Sequence, residues 1–462
     1  MDLQKIRNVY FVGIGGIGMS ALARYFKANG FCVAGYDRTP TILTGELEKE
    51  GIEIHFEDNI ASVSEEYKNV EKTLVVYTPA IPRDHGELCF FINNGFEVKK
   101  RSQVLGMLTR EHKGVCVAGT HGKTTISTMV SHLLKQSSVD CSAFLGGVSQ
   151  NYKTNLLTSA KSDYVVLEAD EFDRSFLQLT PFLALVSSAD ADHLDIYGTD
   201  ASVKESFKEF ASLVQAGGIL LTKKEIDLEF PKREGVSVFT YSLSDASADF
   251  YADNIRLEGG LYVFDLYAPE EKCCGLKLGI PALVNVENAV GACAAALLCG
   301  ATSEELRTAL PQFKGIRRRF DYRIKTEGFV LIDDYAHHPE EIKATVNSVR
   351  ALYPEKKITG VFQPHLFSRT NDFHKEFAQS LSLLNELVML DIYPARELPM
   401  EGVNSDMILG LVDLPVKKLS SKEGLFENLE QLKPEVLLMM GAGDIDKEID
   451  KITQSYKEKF NL

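Results

Sequence analysis

A chain of 462 residues, 45% hydrophobic and 25% charged, is too long for one small module and too apolar for a disordered or fibrous protein. At about 150 residues per domain it suggests roughly three domains. Fifty Lys and Arg against 65 Asp and Glu leave a net charge of −15, which argues against nucleic acid as the main partner yet permits local basic pockets for small anions.

Eight cysteines, with neither CxxC pairing nor the density of a secreted scaffold, read as reduced thiols of a cytoplasmic protein. The uncharged run 9–23 imitates a signal peptide, but Gly13, Gly15, Gly16 and Gly18 interrupt it as a strand turning into a helix would. No apolar run reaches bilayer-spanning length, so membrane insertion is not expected.

In chain order, a strand at 8–12, a helix at 19–29 and a strand at 31–36 open a βαβ alternation, which implies parallel sheets with helices on both faces. The alternation recurs three times and divides the chain into domains 1–110, 111–315 and 316–462. The expected fold is therefore α/β. Gly13-Ile-Gly15-Gly16-Ile17-Gly18 fits GxGxxG between the first strand and helix, and Asp37 closes the next strand. Such a turn brings backbone amides and a helix N-terminus to a diphosphate, with the acid on a ribose hydroxyl. It names a shape and an anion: a dinucleotide and a nucleoside-diphosphate sugar satisfy it equally.

A second strand-to-helix turn follows, Gly119-Thr120-His121-Gly122-Lys123-Thr124-Thr125, between a strand at 114–118 and a helix at 126–135. Val117 stands where GxxxxGK[ST] has its first glycine, but the working end is intact, with Lys123 for the β and γ groups of a triphosphate and Thr124 for Mg²⁺. The strand at 164–168 ends in carboxylates, of which Glu168 is the first-choice metal ligand. Asp170, Glu171 and Asp173 read equally well as a solvated acidic turn. After a strand at 183–187, His193 among Asp190, Asp192 and Asp195 suggests a second metal site. Beyond a strand at 218–222, residues 236–278 read as an antiparallel insertion, with Gly259-Gly260 forming a hairpin turn. A helix at 286–298 closes the second series, and strands at 329–332, 358–362, 387–390 and 436–440 build the third.

Two diphosphate sites favour an ATP-consuming ligase acting on a nucleotide-linked substrate. A dehydrogenase would use the first loop and leave Lys123, Thr124 and Glu168 idle.

The chain resembles the Mur ligase family over essentially its whole length, through GIGGIGMS at 13–20, GTHGKTT at 119–125, EADEFD at 168–173, Asp192-His193, RRRFD at 317–321, DDYAHHP at 333–339, QPHLFSRT at 363–370 and GAGDI at 441–445. The resemblance implies a Rossmann-like N-terminal domain, a central P-loop-type ATPase domain with a mostly parallel sheet, and a Rossmann-like C-terminal domain. It implies ligation of L-alanine to the lactyl carboxylate of UDP-N-acetylmuramate in peptidoglycan precursor synthesis, driven by ATP with two Mg²⁺ ions, for which Mn²⁺ can substitute. Gly15, Gly16, Ile17, Gly18, Met19, Ser20, Asp37, Thr78 and Ala80 would then hold the UDP-sugar. Gly119 to Thr125, Asn285, Asn288, Arg319 and Asp334 would hold ATP. Thr124, Glu168 and His193 would bind metal, with Lys123, Glu168 and His193 catalytic, and His337, His365 and Arg369 would lie by the amino acid.

There are departures. Thr78-Pro79-Ala80 replaces a common Ser-Ser-Ala run, and Ser187-Ser188-Ala189-Asp190 replaces a more usual Thr-Asn-Ile-Glu. Rival readings are a recycling ligase that attaches a preformed tripeptide to the same sugar nucleotide, an NAD-dependent dehydrogenase, and a nucleotide-sensing protein without chemistry. Monomer and homodimer are both open.

Overall fold

The computed structural model describes residues 5–190, 194–395 and 397–461. The chain forms two compact units, one of Met1–Arg256, Val263–Gly279 and Val286–Lys314, the other of Leu257–Tyr262, Ile280–Asn285 and Gly315–Leu462.

The first unit holds two sheets. One is parallel throughout, with strands in the order Glu53–His55, Cys32–Tyr36, Asn8–Val12, Thr73–Tyr77, Glu97–Lys100. Asn8–Val12 is buried along its whole length, which suits a central strand flanked on both sides by parallel neighbours. Strand order reverses beside it, so the turn that follows lies in the crevice where open α/β sheets bind ligands.

The other sheet has ten strands, ordered Lys272–Lys277, Leu261–Tyr267, Phe250–Glu258, Ser237–Ser242, Ile219–Lys223, Leu183–Val186, Lys113–Ala118, Tyr164–Glu168, Ser142–Phe144, Leu156–Leu157. Lys113–Ala118 lies between the two strands whose ends carry Glu168 and Ser187, and it feeds helix Lys123–Lys135. Region 236–278 combines the expected antiparallel pairing with a strand parallel to the main sheet. Ser237–Ser242 runs parallel to Ile219–Lys223 along its length, so the region extends the main sheet, and antiparallel pairing enters with Leu261–Tyr267 and Lys272–Lys277. Tyr241 of this strand, 1% exposed, holds its ring 3.0 Å from where a β-carbon on Gly291 would stand. Burying that ring fixes the strand against helix Leu283–Leu298. Gly259 and Gly260 turn at φ of 60° and 80°, as the glycine pair predicts.

The second unit has one six-stranded sheet, ordered Asp321–Lys325, Val330–Asp334, Val436–Met440, Ile358–Phe362, Glu386–Met389, Lys417–Leu419, parallel except for its first strand. Alternating side chains face opposite layers. Val330 and Ile332 pack with Ile342, Val346 and Val349 of helix Pro339–Leu352. Leu331, Leu437 and Met439 pack with Ile445, Ile449 and Tyr456 of helix Ile445–Phe460. Among the described residues no helix is long and apolar enough to cross a membrane.

Candidate functional site

At the first glycine turn, Gly13 takes φ of 91°, and the amides of Gly13 and Ile14 donate to Tyr36 O at 2.8 and 2.9 Å. Asp37 Oδ2 accepts from Gly15 N at 2.7 Å, so this acid braces the turn itself. A β-carbon on Gly15 would stand 2.8 Å from the same oxygen, which explains the glycine there. Helix Ile17–Ala28 starts at once, presenting its first amides.

At the second turn, Gly122 (φ 83°) caps helix Lys123–Lys135. Lys123 Nζ donates to Gly119 O at 2.6 Å and to Glu171 Oε1 at 2.8 Å. Burial works against the ammonium, but Glu171, Glu168 and Asp170 outweigh it and hold Lys123 above its ordinary pKa. Glu171, 1% exposed, is pushed up to about 7 by burial, with Lys123 opposing. Thr124 Oγ1 donates to Glu168 Oε2 at 2.9 Å. Asn288 Oδ1 lies 2.9 Å from a β-carbon position on Gly122, which brings it to the turn.

The departure at 187–190 has a structural role. Ser187 Oγ donates to His121 O at 2.5 Å, Ser188 Oγ accepts from His121 N at 2.8 Å, and Asp190 N donates to Thr120 Oγ1 at 3.2 Å. Two hydroxyls and an amide thus clamp the loop from the neighbouring strand end.

Each acid of the turn has a basic partner, and Glu171 is buried. Asp170 pairs with Arg101 at 3.4 Å, Glu171 with Lys123, and Asp173 with Lys100 at 2.8 Å. Lys100 and Arg101 come from the end of the first sheet, so nothing adjacent in sequence announced them. Arg101 also packs its guanidinium against Gly18, where any side chain would collide with it.

A cavity of ≈ 250 Å³ borders the first turn and the acidic strand end, lined by Gly16 to Met19, Thr78 and Arg101 and by Phe144 to Gly146, Glu168 and Asp170. Thr78 borders it directly, while Ala80 is tied to Thr78 through an N–H to Oγ1 contact of 3.5 Å. Ser20 is fully buried behind the turn.

Thr124 and Glu168 suit a hard cation, one hydroxyl and one carboxylate leaving positions for water or phosphate oxygens. Gly146 forms the cradle beside them, since a β-carbon there would overlap Glu168 Oε2. Among the described residues no group of three or more His, Cys, Asp or Glu stands as a metal cluster. His193, with Asp192, lies outside the described residues.

In the second unit, His337, His365 and Arg369 come together: the two imidazoles are 6.1 Å apart and Arg369 Nη1 is 3.4 Å from His365 Nδ1. Burial, then His337 and Arg369, lower His365 to about 4. Arg319 lies over the Tyr335 ring at 5.0 Å. Asp334 accepts from Phe320 N at 3.0 Å and Ala336 N at 2.8 Å, bracing the strand end. Asn285 Nδ2 donates to Pro281 O at 2.7 Å.

Three family models match in succession: "Mur ligase family, catalytic domain" over residues 8–113, "Mur ligase middle domain" over 117–296 and "Mur ligase, glutamate ligase domain" over 318–443. The chain is 54% identical over 454 residues to UDP-N-acetylmuramate–L-alanine ligase of Parabacteroides distasonis, covering 98% of each, and 53% identical over 450 residues to the enzyme of that name from Porphyromonas gingivalis, covering 97% of this chain and 99% of the relative. The crystal structure of UDP-N-acetylmuramate-alanine ligase from Thermotoga maritima superposes with a TM-score of 0.82 at 25% identity, over 98% of this chain and 99% of that one. A murein peptide ligase from Psychrobacter arcticus shares the fold at 20% identity, with a TM-score of 0.70 over 97% of this chain and 98% of its own.

Proposed function

The chain belongs to the Mur ligase family, and from that premise we propose that it joins L-alanine to the lactyl carboxylate of UDP-N-acetylmuramate with hydrolysis of ATP to ADP and phosphate. The observation that carries this reading is the cavity shared by the first glycine turn and Glu168, whose carboxylate accepts from Thr124 of the second turn at 2.9 Å. A diphosphate on the first turn and a metal-bound phosphate at Glu168 would then face the same space.

An amine does not displace hydroxide from a carboxylate at a useful rate. The lactyl carboxylate therefore attacks the γ-phosphorus, ADP leaves, the alanine amine attacks the resulting acyl phosphate, and inorganic phosphate leaves. The amides of residues 16–19 and Arg101 hold the UDP-sugar diphosphate, with Thr78 beside them. Lys123, kept charged by its acidic neighbours, turns from Glu171 to the γ-phosphate. The amides of 119–125 cradle the β-phosphate, and Asn288 borders the same loop. Thr124 and Glu168 would hold Mg²⁺, which when bound neutralises charge on the phosphate oxygens. His337, His365 and Arg369 serve the amino acid, the guanidinium suiting its carboxylate. The nucleotide substrates make the reaction cytoplasmic.

The test is phosphate release with UDP-N-acetylmuramate and ATP, comparing L-alanine, glycine, L-serine, a tripeptide and no acceptor. Release should be greatest with L-alanine and negligible without acceptor. Release dependent on the tripeptide would favour the recycling reaction and overturn this one.

A further inference from the structure

The first turn of helix Ile17–Ala28 and the strand end at residues 145–146 belong to different sheets, yet both are held by one residue, Asn155. Its side chain is fully buried. Nδ2 donates to Ile17 O at 2.6 Å and to Ser20 Oγ at 2.9 Å, while Oδ1 accepts from Arg24. Partners on both sides fix which end of the amide is which. Its backbone carbonyl accepts from Leu145 N at 2.9 Å, continuing the antiparallel pair of Phe144 with Leu156. The next residue along that strand, Gly146, lies against Glu168 and 3.2 Å, at its β-carbon position, from Thr124 Oγ1.

We infer that Asn155 is a positioning residue that couples the two cradles, so that a sugar nucleotide bound at the first tightens ATP bound at the second. This rests on the functional reading given above. A buried amide with every hydrogen-bonding group engaged holds one geometry, because any shift strands a polar group away from water. A diphosphate on the amides of residues 16–19 loads the turn whose carbonyl and hydroxyl Asn155 grips. Displacement of that turn is passed through Asn155 to Leu145 and Gly146, and Gly146 sets the room available to the Glu168 carboxylate. Arg24, itself paired with Glu46 and Glu50 at 3.3 and 2.7 Å, anchors the far end of the amide, so the load is not absorbed by local rotation of the side chain.

The experiment is calorimetric titration of UDP-N-acetylmuramate and of a non-hydrolysable ATP analogue with Mg²⁺, each alone and each in the presence of the other. It is run on the wild type, Asn155→Ala and Asn155→Asp. The aspartate is nearly isosteric and keeps the acceptor for Arg24, but it cannot donate to Ile17 O or Ser20 Oγ, so it retains the packing and loses the link. In the wild type each ligand should tighten the other by the same factor, on the order of tenfold, since coupling is reciprocal. In both variants the factor should fall below about twofold while the dissociation constant of each ligand alone stays within about threefold. A wild-type factor below about twofold, or a folded variant that keeps the wild-type factor, overturns the inference.

Hydrogen exchange on the wild type gives a readout independent of variant folding. Saturating UDP-N-acetylmuramate, without nucleotide, should slow exchange at residues 143–146, and unchanged exchange there overturns the inference. If a ligand binds neither alone nor in the presence of the other, the functional reading fails instead.

Discussion

Gly146 lies against the carboxylate of Glu168 so closely that a β-carbon would overlap Oε2. Glycine at this position is therefore a requirement of the acidic strand end. Gly146→Ala should displace Glu168 and raise the Mg²⁺ concentration needed for half-maximal ADP release by about tenfold, in the range expected for disturbing the support of a metal ligand. Glu168→Gln should reduce turnover more severely while UDP-N-acetylmuramate still binds. A Mg²⁺ titration of both variants and a binding isotherm check this, and equal Mg²⁺ requirements would remove Glu168 from the metal site.

Arg101 faces the cavity, with Gly18 on one side and Asp170 on the other. Arg101→Ala should raise KM for UDP-N-acetylmuramate about tenfold, the effect of losing one charge-assisted contact of about 1.5 to 3 kcal/mol, and leave KM for ATP within about twofold. Initial rates with each substrate varied in turn distinguish this from a loss of kcat alone.

Asp333 is 1% exposed and burial lifts its carboxyl to about 7, with Arg318 and Arg323 opposing. The folded chain thus keeps a proton that the unfolded chain releases near the ordinary carboxylate value. Stability should be highest, as far as this group contributes, below about pH 4, and should decline as pH rises to about 7. Asp333→Asn should flatten that decline. Thermal melts from pH 4 to 8 on both proteins measure it, and parallel curves would show that Asp333 does not titrate in this window.

Tyr241→Ala removes the buried ring that sits over Gly291 and should cost about 3 to 5 kcal/mol of stability, as truncation of a buried aromatic does. Because Gly291 lies one turn along the helix from Asn288, which borders the second glycine turn, KM for ATP should rise as well. Denaturant unfolding together with steady-state kinetics checks both halves.

Much of this site could be read in the residue order. Each glycine turn lies beside its own strand and helix, so local spacing revealed the turns, Lys123, Thr124 and the strand-end acid Glu168 that Thr124 meets. Arg101, Gly146 and Asn155 gave no such signal. Arg101 meets Asp170 across 69 positions and Asn155 meets Ile17 across 138, and no local pattern encodes contacts of that separation. The same limit explains Asp170 and Asp173, which read as solvated as long as their lysine and arginine partners were invisible. In the fold, long apolar strands such as Asn8–Val12 were clear, whereas Glu53–His55 and Lys417–Leu419 are too short for periodicity to register. The parallel pairing of Ser237–Ser242 gave no local signal, because strand direction depends on a distant neighbour, Ile219–Lys223.

The sheet orders leave six outer strands, and each is two to six residues long: Glu53–His55, Glu97–Lys100, Leu156–Leu157, Lys272–Lys277, Asp321–Lys325 and Lys417–Leu419. All but Leu156–Leu157 carry charged side chains, and that strand is only two residues long. Such margins offer a poor template to a stray extended peptide. A protein with three open sheets can therefore be crowded to high concentration without its chains zipping together into fibrils.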